Sequence, residues 1–511
     1  MRTNGPAIAF PRQMDDAKRL GLAIRVFAGA VSLGIAGDLL LRNSAFGVGF
    51  SIFALLVAAV SALLYRSRVL EISRGVRFLT IPTLGFCTLF FWRDAPELKL
   101  LNGVSVVLLV GLIAHRARNG SVRTGSVMDY PFRLIESWAG FVAGAVQVGK
   151  LEGRWGELTK GRSSKTIAAI LRGLLLAVPL LIIFGGLFIS ADAGFEKMVT
   201  HLFQFSPEEA GVNFFVTVTC AWLAGGFLYQ LFLGVDRPPS ITGDPKPAPF
   251  GIVEIGTALA LLNLLFAAFI ATQFRHLFGG SEVIRNTANL GFGTYARRGF
   301  FELSAVALLV LPVLLGSHAM MRREGPKSER TYNVLASVLV ALVFLVIHSA
   351  FLRMRIYVEA YGVSQLRIYV VASIAWIGAV FVWFATTVLR GRTDRFAFGA
   401  LALLLATVFG LNVVNPDGLV ARINTSRPNG AVDVSYLGSL SNDAVPELIK
   451  AKSKLPPDAQ AKLMEFLGLQ ETENSGRDPR SFTLSSMFAN AALTANHIPK
   501  VAPKPAEDEH Y

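Results

Sequence analysis

The sequence predicts an all-α polytopic transmembrane bundle of about eleven spans with a small helical cap outside the membrane. Of its 511 residues, 53% are hydrophobic and only 16% are charged, which is not the composition of a water-soluble domain. The hydrophobic residues occur in blocks of about twenty, the length that crosses about 30 Å of hydrocarbon as a helix. Blocks of that length exclude the shorter strands of a membrane β-barrel, so helices must satisfy the backbone groups in lipid.

Each block is bounded by charged or proline-bearing segments, and these boundaries set the predicted spans. Four spans precede a long polar stretch, and seven follow it. The spans, in chain order, are Leu22–Leu41, Phe46–Tyr65, Val76–Trp92, Leu98–His115, Ile167–Ile189, Val212–Leu233, Ile252–Phe274, Phe300–Met321, Val334–Leu352, Ile368–Leu389 and Phe396–Val414.

The polar stretch between the fourth and fifth spans contains a different kind of helix. From Tyr130 to Lys150 the apolar residues recur at helical spacing among polar ones, which predicts an amphipathic helix on the membrane surface. After the last span, apolar residues at helical spacing predict the cap, and the polar, proline-bearing end predicts disorder. The predicted segments are 1–21 (cytoplasmic), 22–115 (four spans), 116–166 (loop with the amphipathic helix), 167–414 (seven spans), 415–470 (cap) and 471–511 (disordered tail).

The distribution of basic residues predicts the orientation. If the amino terminus is cytoplasmic, the inner loops carry more than twice as many lysines and arginines as the outer loops, as the positive-inside tendency requires. The carboxyl-terminal cap then lies outside the cytoplasm. The main inner clusters are Arg66, Arg68, Arg74 and Arg77, then Arg322, Arg323, Lys327 and Arg330, and finally Arg390, Arg392 and Arg395.

Composition also bears on partners and cofactors. The net charge of +14 is the ordinary result of basic cytoplasmic loops, and no long basic loop interleaved with aromatics predicts nucleic-acid binding. Cys87 and Cys220 lie in separate apolar blocks, which predicts neither a disulfide nor a thiolate metal site. His318 and His348 are predicted near opposite membrane faces, so no shared haem or other cofactor is expected.

One set of candidate binding residues lies inside the predicted spans. A polar group in hydrocarbon needs a partner or water, so Glu254, Asn263, Gln273 and Glu302 are expected to face protein or an aqueous path. Asn263 and Gln273 are about 80° apart around a helix axis and would share a loose polar face. Interhelical hydrogen bonding and a substrate path both remain open for this set.

A second set lies between the ninth and tenth spans, on the predicted outer side. Arg353, Arg355, Glu359, Tyr361 and Arg367 are close in sequence, and Arg355 and Glu359 would face the same way on a helix. Basic residues on this side run against the positive-inside tendency. The set therefore predicts either paired charges or a contact with anionic lipid headgroups.

Several phrases together resemble a bacterial membrane family, domain of unknown function 4173. They are SADAGF from Ser190, NLLFAAFIATQFRHLFGG from Asn263, YARRGFFEL from Tyr295, RIYVEAYGVSQLRIY from Arg355, and NPDGLVARIN from Asn415 followed by DVSYLGSLSNDAVPEL. The resemblance covers roughly 167–448, while the first four spans look less typical. It implies a polytopic membrane protein in the bacterial inner membrane, with no reaction or ligand to carry over.

Three function classes follow from these observations. The favoured one is a structural or regulatory protein of the cell envelope, whose cap contacts envelope partners or anionic lipids. The second is a transporter or flippase with a path beside Asn263 and Gln273. The third is an enzyme on a lipid-linked substrate using His348, Arg355 and Glu359, although no catalytic motif supports it. The sequence predicts no oligomeric state.

Overall fold

The structure is a computed structural model that describes most of the chain. The described residues are 16–66 (without 43 and 45), 74–117, 129–149, 207–234, 249–278, 292–322, 324–427 and 432–501. They form α-helices, a few short 3₁₀ turns and an isolated bridge between Phe250 and Met321.

The helices are numbered here in chain order. The first six are α1 (Asp16–Leu41), α2 (Val48–Arg66), α3 (Arg74–Trp92), α4 (Pro96–Ala117), α5 (Asp129–Gly149) and α6 (Pro207–Phe232). The next five are α7 (Ile252–Phe278), α8 (Phe292–Met320), α9 (Pro326–Tyr361), α10 (Gln365–Thr387) and α11 (Phe396–Val414). The last five are α12 (Pro416–Thr425), α13 (Val434–Gly438), α14 (Val445–Ala451), α15 (Pro457–Ser475) and α16 (Leu484–Ala495).

Among the described residues, ten helices are long and apolar enough to cross a membrane: α1 to α4 and α6 to α11. They match ten of the eleven predicted spans, and the fold is the expected all-α polytopic bundle. The other predicted span, 167–189, lies outside the described residues. The main difference is α9, which has 36 residues and continues well past the predicted end at Leu352.

The spans pack as two groups, each with its own hydrophobic core. The first group contains α1 to α6, where Val26, Leu109 and Leu228 are fully buried. The second contains α7 to α11, where Leu339 and Phe381 are fully buried. α4 of the first group contacts α11 of the second, so the two cores meet along these helices.

The cap, which consists of α12 to α16, covers one end of the bundle. We call this end the cap end. Three turns between spans reach this end and contact the cap. Val48 N–H donates to Phe482 O (2.9 Å), the Arg93 side chain bonds Asp443 (3.2 Å), and Val363 N–H donates to the Asn424 side chain (2.9 Å).

We call the opposite end the basic end. It contains the turn between α10 and α11, the bridge between Phe250 and Met321, and Gly75 beside Arg116. α1 and α6 run antiparallel, since Gly29 packs near Leu228 and Gly37 packs against Cys220. α4 therefore ends at the basic end, whereas α6 begins at the cap end.

The predicted amphipathic helix is present as α5, and it packs along α6 through small residues. The Gln230 side chain donates to Ser137 O (2.6 Å), and an added Cβ at Gly144 would lie 2.9 Å from Tyr229. Phe132 and Ile135 point outward. Close helix packing thus positions α5, and its place at a membrane surface remains a prediction.

The expected disordered tail from residue 471 needs correction, because the cap continues to residue 501 as ordered structure. α15 extends to Ser475, and α16 buries Ala489 and Leu493 completely in the cap core. Thr483 and Ser486 form a capping box at the start of α16. The polar residues of this segment outnumber the short apolar stripe of α16. A helix this short is stable only when it packs against the rest of the cap.

Candidate functional site

The junction between the bundle and the cap contains a dense set of buried polar side chains. Its centre is the Asp443 carboxylate of the cap, whose side chain is completely buried. Asp443 accepts the N–H groups of Asp94 and Ala95 (both 2.8 Å) where α4 begins, and it pairs with Arg93 at 3.2 Å. The Ser485 hydroxyl donates to the same carboxylate. A cap residue therefore satisfies backbone donors that the first turn of α4 cannot satisfy internally.

Asp94 forms the second part of the junction. Its carboxylate pairs with Lys99 (2.8 Å) and Arg477 (2.9 Å) and accepts a hydrogen bond from the Asn442 side chain (2.6 Å). Burial would raise the pKa of Asp94, but the two cations and the hydrogen bonds outweigh it and lower the pKa below its usual value. Asp94 is thus held as a carboxylate that joins the start of α4 to the turn after α15.

Asp417 forms the third part, and its environment is different. This carboxyl at the start of α12 is fully buried and accepts hydrogen bonds from Gln365 Nε2 (2.7 Å), Ser441 N (3.0 Å) and Ser441 Oγ (2.6 Å). Burial raises the pKa of Asp417, and the nearby Asp443 charge adds to this, although the hydrogen bonds act against it.

Below the junction, two buried amides join the two helix groups. Asn102 of α4 and Asn412 of α11 exchange side-chain hydrogen bonds of 3.0 and 2.9 Å, and both are fully buried. Arg93 Nε also donates to Asn412 O (2.7 Å), which links this pair to the junction above. Paired amides are the arrangement that a low-dielectric interior favours, since each satisfies the other.

Beside these polar groups lies a large groove between the bundle and the cap, with a volume of about 1120 Å³. Its walls differ in chemistry along its length. Toward the middle of the bundle it is lined by apolar side chains, and toward the cap by polar and charged ones together with the apolar Leu440, Phe466 and Leu469. The apolar set includes Phe46, Phe50, Phe90, Leu100, Val104, Val107 and Leu108, and the polar set includes Asp94, Lys99, Ser441, Asn442, Glu473, Asn474 and Arg477.

The apolar wall is open to the outside of the bundle. Leu100 is 69% exposed and Val104 47% exposed on the outer face of α4. Phe50 and Phe90 pack with ring centroids 4.4 Å apart and form the side wall. From Pro96 to Leu108 the groove follows α4 for about 18 Å, since a helix rises about 1.5 Å per residue.

The polar rim of the groove has balanced charge. Lys99 and Arg477 supply two positive charges, and Asp94 and Glu473 supply two negative ones. Lys99 and Arg477 each donate one hydrogen bond to Asp94 and retain further N–H groups near the rim. The groove is therefore apolar in its depth and zwitterionic at its mouth.

The first predicted set of site residues is not brought together. Asn263 is buried, and its side chain donates an interhelical hydrogen bond to Leu335 O of α9 (3.0 Å). Glu254 is exposed in the first turn of α7 at the basic end, and Glu302 is exposed on α8 nearer the cap end. The side chain of Gln273 lies outside the described residues.

The second predicted set is partly brought together. Arg355 and Glu359 form the expected pair at 3.0 Å with both side chains exposed, and Arg353 lies on the same helix. Tyr361 and Arg367 line a small polar cleft at the turn between α9 and α10. His348 also lies on the exposed side of α9, as the third function class required.

Sequence reasoning missed the junction itself. Asp94 and Asp443 lie in short turns and Asp417 lies in the first turn of α12, and none was singled out. Two features of the sequence could have indicated it. They are Asn412 and Asn415 at the end of the last span, and the NPDG and SND segments within the phrases that resemble a family.

The fold and the junction define a polytopic helical membrane protein with a cap built onto one end of its bundle. More particularly, the chain belongs to the family described as Domain of unknown function (DUF4153), which matches residues 80–451. No curated protein and no solved structure matches it.

The expectation of a family without a known function is confirmed, but the matching family carries the number 4153 where the resemblance named 4173. The match begins in α3, so it includes α4 and the Arg93 turn, which were expected to lie outside the typical part. It ends in α14, and the groove wall contributed by α15 lies beyond it.

Proposed function

We propose that this protein binds a phospholipid of the bacterial inner membrane in the groove beneath its cap, in a structural or regulatory role in the cell envelope. The groove carries the proposal, because its apolar depth and zwitterionic mouth match the two parts of such a lipid. Its length of about 18 Å along α4 is close to the thickness of one leaflet, about half of the 30 Å hydrocarbon layer.

The balanced rim favours a zwitterionic headgroup. A phosphate would lie near Lys99 and Arg477, and an ammonium group near Glu473. Leu100 and Val104, exposed on α4, would contact the acyl chains, since exposed apolar surface on this scale is typical of a membrane contact.

The proposed orientation places the cap on the periplasmic side and the amino terminus in the cytoplasm. The opposite end of the bundle contains the basic clusters, with Arg74 and Arg116 at one place and Arg390 and Arg395 at another. Under the positive-inside tendency, this supports a cytoplasmic location for the basic end. The bound lipid would then come from the outer leaflet of the inner membrane.

The test uses the full-length protein extracted in mild detergent and analysed by native mass spectrometry. We expect a zwitterionic phospholipid to remain bound after extensive delipidation. Val104→Trp fills the groove and should release the lipid, whereas Leu264→Trp, at a site on α7 that is 67% exposed and outside the groove, should retain it. Equal retention by the two variants would contradict the proposal.

A transporter or flippase is the second candidate, and the lateral opening of the groove toward lipid is the observation in its favour. The Asn263 hydrogen bond to α9 supports a structural use of that amide instead. Lipid or solute flux in vesicles that is lost in the Asn263→Leu and Gln273→Leu variants would favour transport. An enzyme using His348, Arg355 and Glu359 has only their shared exposed face in its support.

A further inference from the structure

A second, smaller cavity lies at the cap end, separate from the groove. It has a volume of about 220 Å³ and lies between the turn after α9, the first turn of α10, and the α12 and α13 region of the cap. We call it the arginine cleft. Its polar lining residues are Tyr361, Ser364, Arg367, Asn424, Arg427, Asp433 and Tyr436.

Two guanidinium groups converge on Gly362 in this cleft. Arg367 Nη1 donates to Gly362 O, and an added Cβ at Gly362 would lie 2.8 Å from Arg427 Nη1. Gly362 has a φ of 78°, a left-handed conformation that glycine adopts at no steric cost. The turn is therefore shaped so that both arginines can approach its backbone.

The two arginines are held in place by neighbouring groups. The Arg367 guanidinium stacks on the Tyr357 ring at 4.2 Å from its centroid. Arg427 Nη2 donates to Glu359 O (2.6 Å). Asn424 fixes the turn by accepting from Val363 N (2.9 Å) and donating to Val363 O (2.7 Å). A site built in advance loses little entropy when a ligand binds.

The cleft has an excess of positive charge. Asp433 is the carboxylate among its lining residues, and one of its oxygens accepts the Tyr436 N–H at the start of α13 (3.0 Å). The nearby Glu359 side chain pairs with Arg355 on the exposed face of α9. Arg367 and Arg427 together exceed the single carboxylate of Asp433 by one positive charge, which an anion in the cleft would balance.

The cleft also lies outside the apolar part of the bundle, on the side of the cap. α9 continues for nine residues, about 13 Å, beyond Leu352, where its apolar segment ends, so Tyr361 lies past the hydrocarbon on the cap side. Both membrane-bound and soluble anions can reach this depth.

We propose that the arginine cleft binds a phosphate group, using the paired N–H forks of Arg367 and Arg427. The planar guanidinium fork matches the oxygens of phosphate, and two forks around one cavity of this size suit a single phosphate. The phosphate can belong to an anionic phospholipid headgroup or to free phosphate. This site shares none of its lining residues with the groove, so it stands or fails independently of the proposed lipid groove.

The test uses the full-length protein in nanodiscs and has two arms. In the first, inorganic phosphate is titrated into protein in phosphatidylcholine nanodiscs, and binding is measured by calorimetry. In the second, retention of phosphatidylglycerol is measured by native mass spectrometry. Binding in the first arm identifies free phosphate as a ligand, and retention in the second arm alone identifies the headgroup.

The variant Arg367→Gln should weaken binding about tenfold or more, because a charge-assisted pair of hydrogen bonds is lost. The matched control Arg355→Gln removes the same charge from an exposed pair on α9 and should bind normally. If Arg367→Gln lowers the melting temperature strongly, Arg367→Lys decides, since it keeps the charge but loses the fork and should bind more weakly than the parent. Absence of binding in both arms, or an equal loss in Arg355→Gln, would overturn the proposal.

Discussion

On the α4 side of the junction the buried carboxylates face cations, whereas on the α10 side Asp417 accepts hydrogen bonds from uncharged donors. Asp443 pairs with Arg93, and Asp94 pairs with Lys99 and Arg477. The donors to Asp417 are Gln365 and Ser441. The same cap is thus attached by ionised contacts at one place and by hydrogen bonds to a carboxyl of raised pKa at another.

This difference has a physical consequence for the cap. Removing one partner of an ion pair that is shielded from water is costly, because the charge of the other partner stays buried without compensation. A buried carboxyl without a cation is costly only when it is ionised. The α4 side should therefore dominate the docking energy, and the α10 side should set how docking responds to rising pH.

The largest effect is expected for Asp443→Ala. This change removes the carboxylate that pairs with Arg93 and accepts the N–H groups of Asp94 and Ala95, so docking should weaken by about 3–5 kcal/mol. The measurement is thermal unfolding in detergent together with the rate of tryptic cleavage at Arg477, whose side chain is 16% exposed when the cap is docked.

Glu447→Ala is the control for that experiment, because this cap carboxylate pairs with Arg422 and Lys450, whose side chains are both exposed. It should leave the cleavage rate at Arg477 nearly unchanged. If both variants released the cap to the same extent, the ionised side of the junction would not be what holds it.

A smaller effect is expected for Asp94→Asn, about 2 kcal/mol at neutral pH, because the amide keeps its shape but loses its charge-assisted hydrogen bonds. The pKa of Asp94 is lowered in the folded protein, so its stabilisation is present above the ordinary value of 3.8 and is lost as the pH falls below it. The gap in melting temperature between parent and variant should therefore be constant from about pH 7 to about pH 5 and narrow toward about pH 3. A gap that does not narrow at the acidic end would mean that the charge of Asp94 does not contribute.

The sequence was sufficient for the parts of the fold that depend on local pattern. Ten spans follow from the length of their apolar blocks alone. The exposed pair of Arg355 and Glu359 follows from helical spacing. In each case the interacting groups are close in the chain.

The junction could not be found in this way, because its partners are far apart in sequence. Asp94 and Arg477 are separated by 383 positions, and Asn102 and Asn412 by 310. Period and composition carry no information about such pairs. Only part of the arginine cleft was predicted, for the same reason. Tyr361 and Arg367 are local to the turn and were predicted site residues, whereas Asn424 and Arg427 come from the cap.

The smallest effect, and one of opposite sign, is expected for Asp417→Asn. Its Oδ1 can accept from Ser441 while its amide nitrogen donates to a flipped Gln365 side chain, so the cost at low pH should be below about 1 kcal/mol. The pKa of Asp417 is raised in the folded protein. The parent therefore loses stability as the pH rises from 3.8 through the raised value, because ionisation is harder in the buried site than in the unfolded chain. The substituted amide cannot ionise, so the variant should gain on the parent as the pH rises. Melting curves over the same pH range as for Asp94→Asn check this. The two sides of the junction act separately if Asp94→Asn gains melting temperature relative to the parent at low pH and Asp417→Asn does so at high pH. Parallel pH profiles for the two variants would contradict this.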